Sequence, residues 1–193
     1  MFDWLSIPEY AEAREREETA RDAAFVLEHD DICGVPVKPL SLRHFTLLVA
    51  IGSPFVCAGE LTATEAARFI WIVSAVRCRN DTAQARDRFL KSIRGLNFVH
   101  ACQGISRYLD EAFQDSPGGG SSNRPLSTSF AAVLVDMIAR EYGWRESDIL
   151  DMPLRRLFQY LRCIRHHHDP DAVFVNPSDA VRRRWVKENV KKN

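Results

Sequence analysis

Between Ser127 and His168 the apolar positions recur twice at helical spacing. Phe130, Val133, Leu134, Met137, Ile138 and Tyr142 follow the i, i+3, i+4, i+7, i+8 pattern of one helical face. Gly143 then supplies a residue that tolerates the left-handed conformation ending a helix. Trp144 and a short turn around Ile149 and Leu150 lead to Asp151 and Pro153, a capping residue and a first-turn proline. Leu154, Leu157, Phe158, Leu161 and Ile164 repeat the pattern. This predicts two helices with a tight corner, Trp144 wedged between them and their arginines outside.

The rest of the chain reads as further helices. A run from Glu9 to about Asp30 is rich in Ala and Glu and has few large apolar residues, which predicts a loosely packed helix with solvated carboxylates. Gly34, Pro36 and Pro39 break it, and 32–40 is the one stretch suited to a short strand. Ser41 caps an apolar helix that ends at Gly52-Ser53-Pro54, and Thr62 and Glu65 stand at capping-box spacing before a helix apolar nearly all round. From Thr82 to Phe113 the periodicity suits one long helix, with Gly95 and Gly104 as candidate interruptions. The Gly/Ser/Pro-rich run 115–125 reads as a flexible linker. Ser127 or Thr128 caps the helix after it. The expected organisation is a main helical body over 1–114, the linker at 115–125 and a C-terminal helical unit over 126–193. The predicted class is all-α, an irregular multi-helix bundle with a C-terminal helical subdomain.

Composition adds charge polarity to this picture. The chain is 46% hydrophobic and 27% charged, within the ordinary globular range. It holds no apolar run near the roughly 18–20 residues that span a bilayer, and its acidic start is unlike a signal peptide. No membrane partner is expected, and the cytoplasm is the default location. The net charge is zero, yet residues 1–31 carry ten acids against three arginines. Residues 153–193 reverse this, with ten Lys and Arg against four acids. Such polarity suits a clamp between the two ends, head-to-tail association or an acidic partner. The five cysteines are widely spaced with no CxxC pair, which points to reduced, mostly buried thiols.

Catalytic signals are weak. His166, His167 and His168 are consecutive, so on a helix they diverge by about 100° each and cannot share one metal. Gly118 to Ser122 lacks the Lys-Ser/Thr of a phosphate loop. Cys57 and His44 flank the Gly-Ser-Pro turn and are able to approach each other, with a packed thiol the simpler reading. No catalytic residue, cofactor or metal site is assigned, and the chain is read as non-enzymatic. Candidate partner-binding residues are Trp4, Tyr10, Phe174, Trp185, Arg182, Arg183 and Arg184, with Phe2, Leu5, Val175, Val186 and Val190 beside them. The plainer account is that these aromatics pin the termini to the body. A second reading is a nucleic-acid interface built from Arg155, Arg156, Arg162 and Arg165 together with Arg182, Arg183, Arg184, Lys187, Lys191, Lys192 and Trp185. Against it stand the neutral whole and the apolar Pro-Leu start of the candidate reading helix.

Two segments carry a resemblance. Pro39 to Leu48 running into Ile51-Gly52-Ser53-Pro54-Phe55, then Leu61-Thr62 and Phe69 to Ser74, resembles tailed-phage proteins of the tail assembly chaperone type. Tyr142-Gly143-Trp144 through Ile149, Met152-Pro153-Leu154 and Phe158 is similar to a corner in the same kind of small tail-module protein. Val73-Ser74 departs from the Cys-Ser pair expected there. The resemblance implies a mostly helical protein whose apolar grooves keep a phage tail protein, such as the tape measure, soluble until the tube assembles, or a minor virion protein. It leaves homo-oligomerisation open and ranks nucleic acid below a protein partner.

Overall fold

Pro8 lacks the amide hydrogen that a first helical turn leaves unpaired, and it opens α1, Pro8–Val26. Before it, Asp3 caps the 3-10 turn Trp4–Ser6 by accepting from the Leu5 N–H. The computed structural model describes residues 3–28, 30–116, 128–174 and 176–189. Phe2, Ser127, Val175, Val190, Lys191, Lys192 and 117–125 of the expected linker lie outside them. After α1 comes a two-stranded antiparallel hairpin, β1 (Asp30–Ile32) and β2 (Val35–Val37). Its two-residue turn, Cys33-Gly34, has positive φ at both positions (55° and 81°), the hand that matches strand twist.

Then follow α2 (Leu42–Ala50), α3 (Ala63–Val73), α4 (Ala75–Arg79), α5 (Ala83–Ser92), α6 (Phe98–Phe113), α7 (Phe130–Tyr142), α8 (Glu146–Asp151), α9 (Leu154–His168) and α10 (Ser178–Asn189). The chain is an all-α multi-helix fold with one small hairpin. Among the described residues no helix is long and apolar enough to cross a membrane.

Local capping follows the sequence closely. Ser41, Thr62, Ser74, Thr82, Asn97 and Ser129 each accept a backbone N–H at the start of a helix. Gly143 ends α7 with φ 67°. The helix cap at 127–128 is corrected to Ser129. The turn around Ile149 is a helix, α8, and Asp151 does not cap α9 but reaches Arg43 at 2.5 Å. The expected 82–113 helix is two: Ile93 ends α5, and Asn97 starts α6 by accepting from Val99 and His100. Gly104 does not interrupt α6. A Cβ there would lie 3.1 Å from Ile32 and 3.2 Å from the Cys33 sulfur, so Gly104 makes room for the hairpin against the helix.

One core runs through the molecule. It takes Ile32, Val37, Leu42 and Leu48, the α3 run Phe69 to Val73, Ile105 and Tyr108, then Leu134, Ile138, Ile149, Leu154, Leu157, Phe158 and Leu161. Residues on both sides of 115–125 therefore share it. α9 packs against both α1 and α6, and α8 against α2. Backbone bonds stitch the same seam: Leu154 N–H to the Leu40 carbonyl at 2.7 Å, and Leu42 N–H to the Met152 carbonyl at 3.2 Å. The described helices of 126–193 thus pack on the body: α8 and α9 share its core, and α10 lies on α1. No cysteine is buried: Cys33, Cys57 and Cys102 are half-buried, and Cys78 and Cys163 are exposed.

Candidate partner surfaces

The two ends of the chain meet. α1 packs on α10, and the acidic start and basic end lie together. Trp4 stands edge-on to Trp185 (centroids 5.5 Å) and tilted against Tyr10 (6.2 Å), while the Arg182 guanidinium lies 4.9 Å over the Trp4 ring. Arg184 reaches Glu9 at 3.6 Å, and Arg183 donates to the Asp179 carbonyl at 3.3 Å. Phe174 sits under Arg162 (5.4 Å) and Arg165 (5.5 Å). Of the seven candidate residues, Trp4, Tyr10, Trp185 and Arg182 form one cluster, Arg184 borders it through Glu9, and Phe174 and Arg183 stand with Arg182 around a neighbouring recess. A recess of about 460 Å³ is lined by Val173, Phe174, Asp179, Arg182, Arg183 and Val186. The cluster's aromatic faces are thus largely engaged within the molecule, holding α10 to the N-terminus.

Beneath this seam lies a buried ionic network. The Asp115 carboxylate, fully buried, accepts Arg21 Nε and Arg155 Nε at 3.0 Å each. Arg162 donates to the Asp115 carbonyl (3.0 Å) and to the Asn176 side chain (2.8 Å), which Arg21 also reaches (2.8 Å). Glu17, only 2% exposed, pairs with Arg21 and accepts the Ser178 N–H at the first residue of α10 (3.2 Å), where the helix dipole favours an anion. Burial, then the neighbouring Arg21, pulls Arg162 below the usual arginine range. Two expectations change here. Glu17 is not a solvated-face carboxylate, and Asp115, the first residue of the expected linker, is the centre of the network.

The α9 arginines do not lie outside. Arg155 binds Asp115, Arg156 donates to the Ala24 and Phe25 carbonyls at the end of α1, and Arg162 and Arg165 cover Phe174. Their geometry turns them toward the protein, where they close helix ends, rather than arraying them along a phosphate backbone. Trp144 stacks on Tyr142 (4.9 Å) and meets Tyr160 edge-on (4.9 Å), at the α7–α9 corner as expected.

His44 does not pair with Cys57; its Nε2 lies 3.9 Å from the Cys78 sulfur. Desolvation, then Arg77, pushes His44 down to about 4. The imidazole and the exposed thiol make at most a long, weak polar contact. His166, His167 and His168 end α9, and His168 Nε2 faces Glu141 at 3.3 Å. Among the described residues no three metal-ligating side chains converge.

A larger recess than the one beside α10 lies elsewhere, on a surface that sequence periodicity did not single out. A groove of about 650 Å³ runs between α3 and α5 and is closed by the start of α6. Ala66, Ala67, Ile70, Leu90, Ile93 and Leu96 form its apolar floor, with Phe98, 37% exposed, at one end. Arg68, Arg86, Lys91 and Arg94 line its rim, with Asp87 as the lone carboxylate. The groove exists because the chain turns at 93–97: a continuous helix would have carried α6 away from α3. The available signal was Arg86, Leu90, Ile93 and Arg94 at i, i+4, i+7 and i+8, one helix face mixing apolar and basic residues. No protein-family model matches this chain, and neither a curated protein nor a solved structure matches it.

Proposed function

We propose that this is a non-enzymatic binding protein of phage tail assembly, which holds a tail protein of the tape-measure kind through apolar helical surface and acts in the host cytoplasm. The observation that carries this reading is the α3–α5–α6 groove, an apolar floor with a charged rim on a soluble-type helical body. The resemblance of the Gly-Ser-Pro-Phe and Gly-Trp/Pro-Leu corners to tail-assembly proteins points the same way. The nucleic-acid reading is less favoured, because the α9 arginines it needs are spent on Asp115, the α1 terminus and Phe174.

Co-expression with a tape-measure-type tail protein tests the proposal. A soluble complex is the expected result. If the partner's solubility is unchanged and no complex elutes on gel filtration, the proposal fails.

A further inference from the structure

We infer that the α3–α5–α6 groove takes an amphipathic helix whose apolar stripe is flanked by acidic residues, a mode of recognition that rests on the binding role proposed above. The groove's shape is the first ground. Its lining on α3 extends over 63–70, roughly 12 Å at 1.5 Å per residue, which matches a partner stripe at i, i+3, i+4 and i+7. Ala63, Ala66 and Ala67 keep that wall low, and half-buried Leu90 and Leu96 with exposed Phe98 offer side-chain contacts beneath, over the buried Ile70 and Ile93.

Charge is the second ground, and it selects the partner. Four cations surround the floor. Arg68 is offset by Glu65 at 3.2 Å and Arg86 by Asp87 at 3.6 Å. Lys91 and Arg94 are exposed and have no side-chain ion pair or hydrogen bond among the described residues. A basic or neutral helix would leave them facing like charge or nothing. Glutamates beside an apolar stripe would meet them at the rim, where such pairs steer association and set orientation. A fatty carboxylate would satisfy one cation and leave the length of the rim unused.

The test uses the full chain and two fluorescein-labelled peptides of about 18 residues, long enough to populate a helix. Both carry leucines at i, i+3, i+4 and i+7; one flanks them with glutamates, its twin with lysines. By anisotropy the Glu peptide should bind at least about tenfold more tightly at 0.1 M salt, with the gap narrowing as salt screens the rim. Lys91→Glu with Arg94→Glu should reverse the preference while leaving the melting temperature unchanged, since both side chains are exposed. A spin label on the Glu peptide should broaden the resonances of Leu90 and Phe98.

Equal binding of the two peptides, an unchanged preference in the double variant, or broadening confined to other residues would overturn the inference. So would displacement of the peptide by decanoate at equal concentration, or self-association abolished by the double variant, which would assign the groove to a lipid or a second copy. A tape-measure complex that survives the double variant overturns this inference alone. Peptide binding without any tape-measure complex overturns the proposed function and leaves the groove's specificity standing.

Discussion

Asp115 and Arg155 meet at 3.0 Å inside the protein, and the second Asp115 oxygen holds Arg21 at the same distance. One carboxylate thereby ties α1 and α9 to the end of α6, with Arg162 on the Asp115 carbonyl extending the tie to Asn176 before α10. Removing it leaves two arginines, each at least four-fifths enclosed, facing each other without their shared anion. Asp115→Ala should therefore cost about 3 kcal/mol in urea unfolding, the scale of breaking a buried pair from one side. Arg155→Met with Asp115→Leu should cost less than Asp115→Ala alone, because no buried charge on α9 is then orphaned.

Gly104 faces the hairpin at a distance where a side chain does not fit. Gly104→Leu should destabilise by about 2 kcal/mol, through displacement of Ile32 and Cys33 from α6. Gly95→Ala, where nothing lies within 4 Å, should change stability by less than about 0.5 kcal/mol. Parallel thermal melts decide whether the contact or merely the glycine matters.

His44 gives the fold a pH dependence with a definite sign. Its folded value, about 4, lies below the roughly 6.5 of an unfolded histidine. Above that unfolded value both states are neutral and the group contributes nothing to the slope. As pH falls toward 4 the unfolded chain takes up a proton that the folded chain refuses, so stability is lost through that window and the loss levels off below it. The loss should be about 2 to 3 kcal/mol. Urea midpoints for the wild type and His44→Phe between pH 7.5 and 4 should converge on a flatter profile for the variant; identical slopes would assign the effect to other groups.

Trp4, packing on Trp185, and Arg184, reaching from α10 to Glu9, join the two ends in different ways and should differ in weight. Trp4→Ala removes the contacts with Trp185, Tyr10 and Arg182 and should cost about 1 to 2 kcal/mol, with a change in Trp185 fluorescence. Arg184→Ala breaks an exposed pair with Glu9 at 3.6 Å and should cost less than about 0.5 kcal/mol. If Arg184 proves the costlier loss, the ends are held by charge rather than by aromatic packing.

The amino-acid sequence by itself determined the local grammar of this protein. Ser41, Thr62 and Asn97 cap because a side-chain oxygen two or three residues from an N–H is a local event, and Gly143 ends α7 because positive φ is a property of one residue. The all-α class and the buried character of α3 followed from spacing alone. Only the tertiary structure decided where the charges went. Glu17 and Asp115 look like surface acids in a polar run and beside a Gly-rich tract, yet both are buried, because Arg21, Arg155 and Arg162 come to them from distant stretches of chain. The break at 93–97 likewise hides inside an unbroken helical period, and it is this turn that folds α6 back across α3 and α5 to make the groove. Periodicity reports which face of a helix is apolar; pairing between remote groups is set by the packing of the helices that carry them.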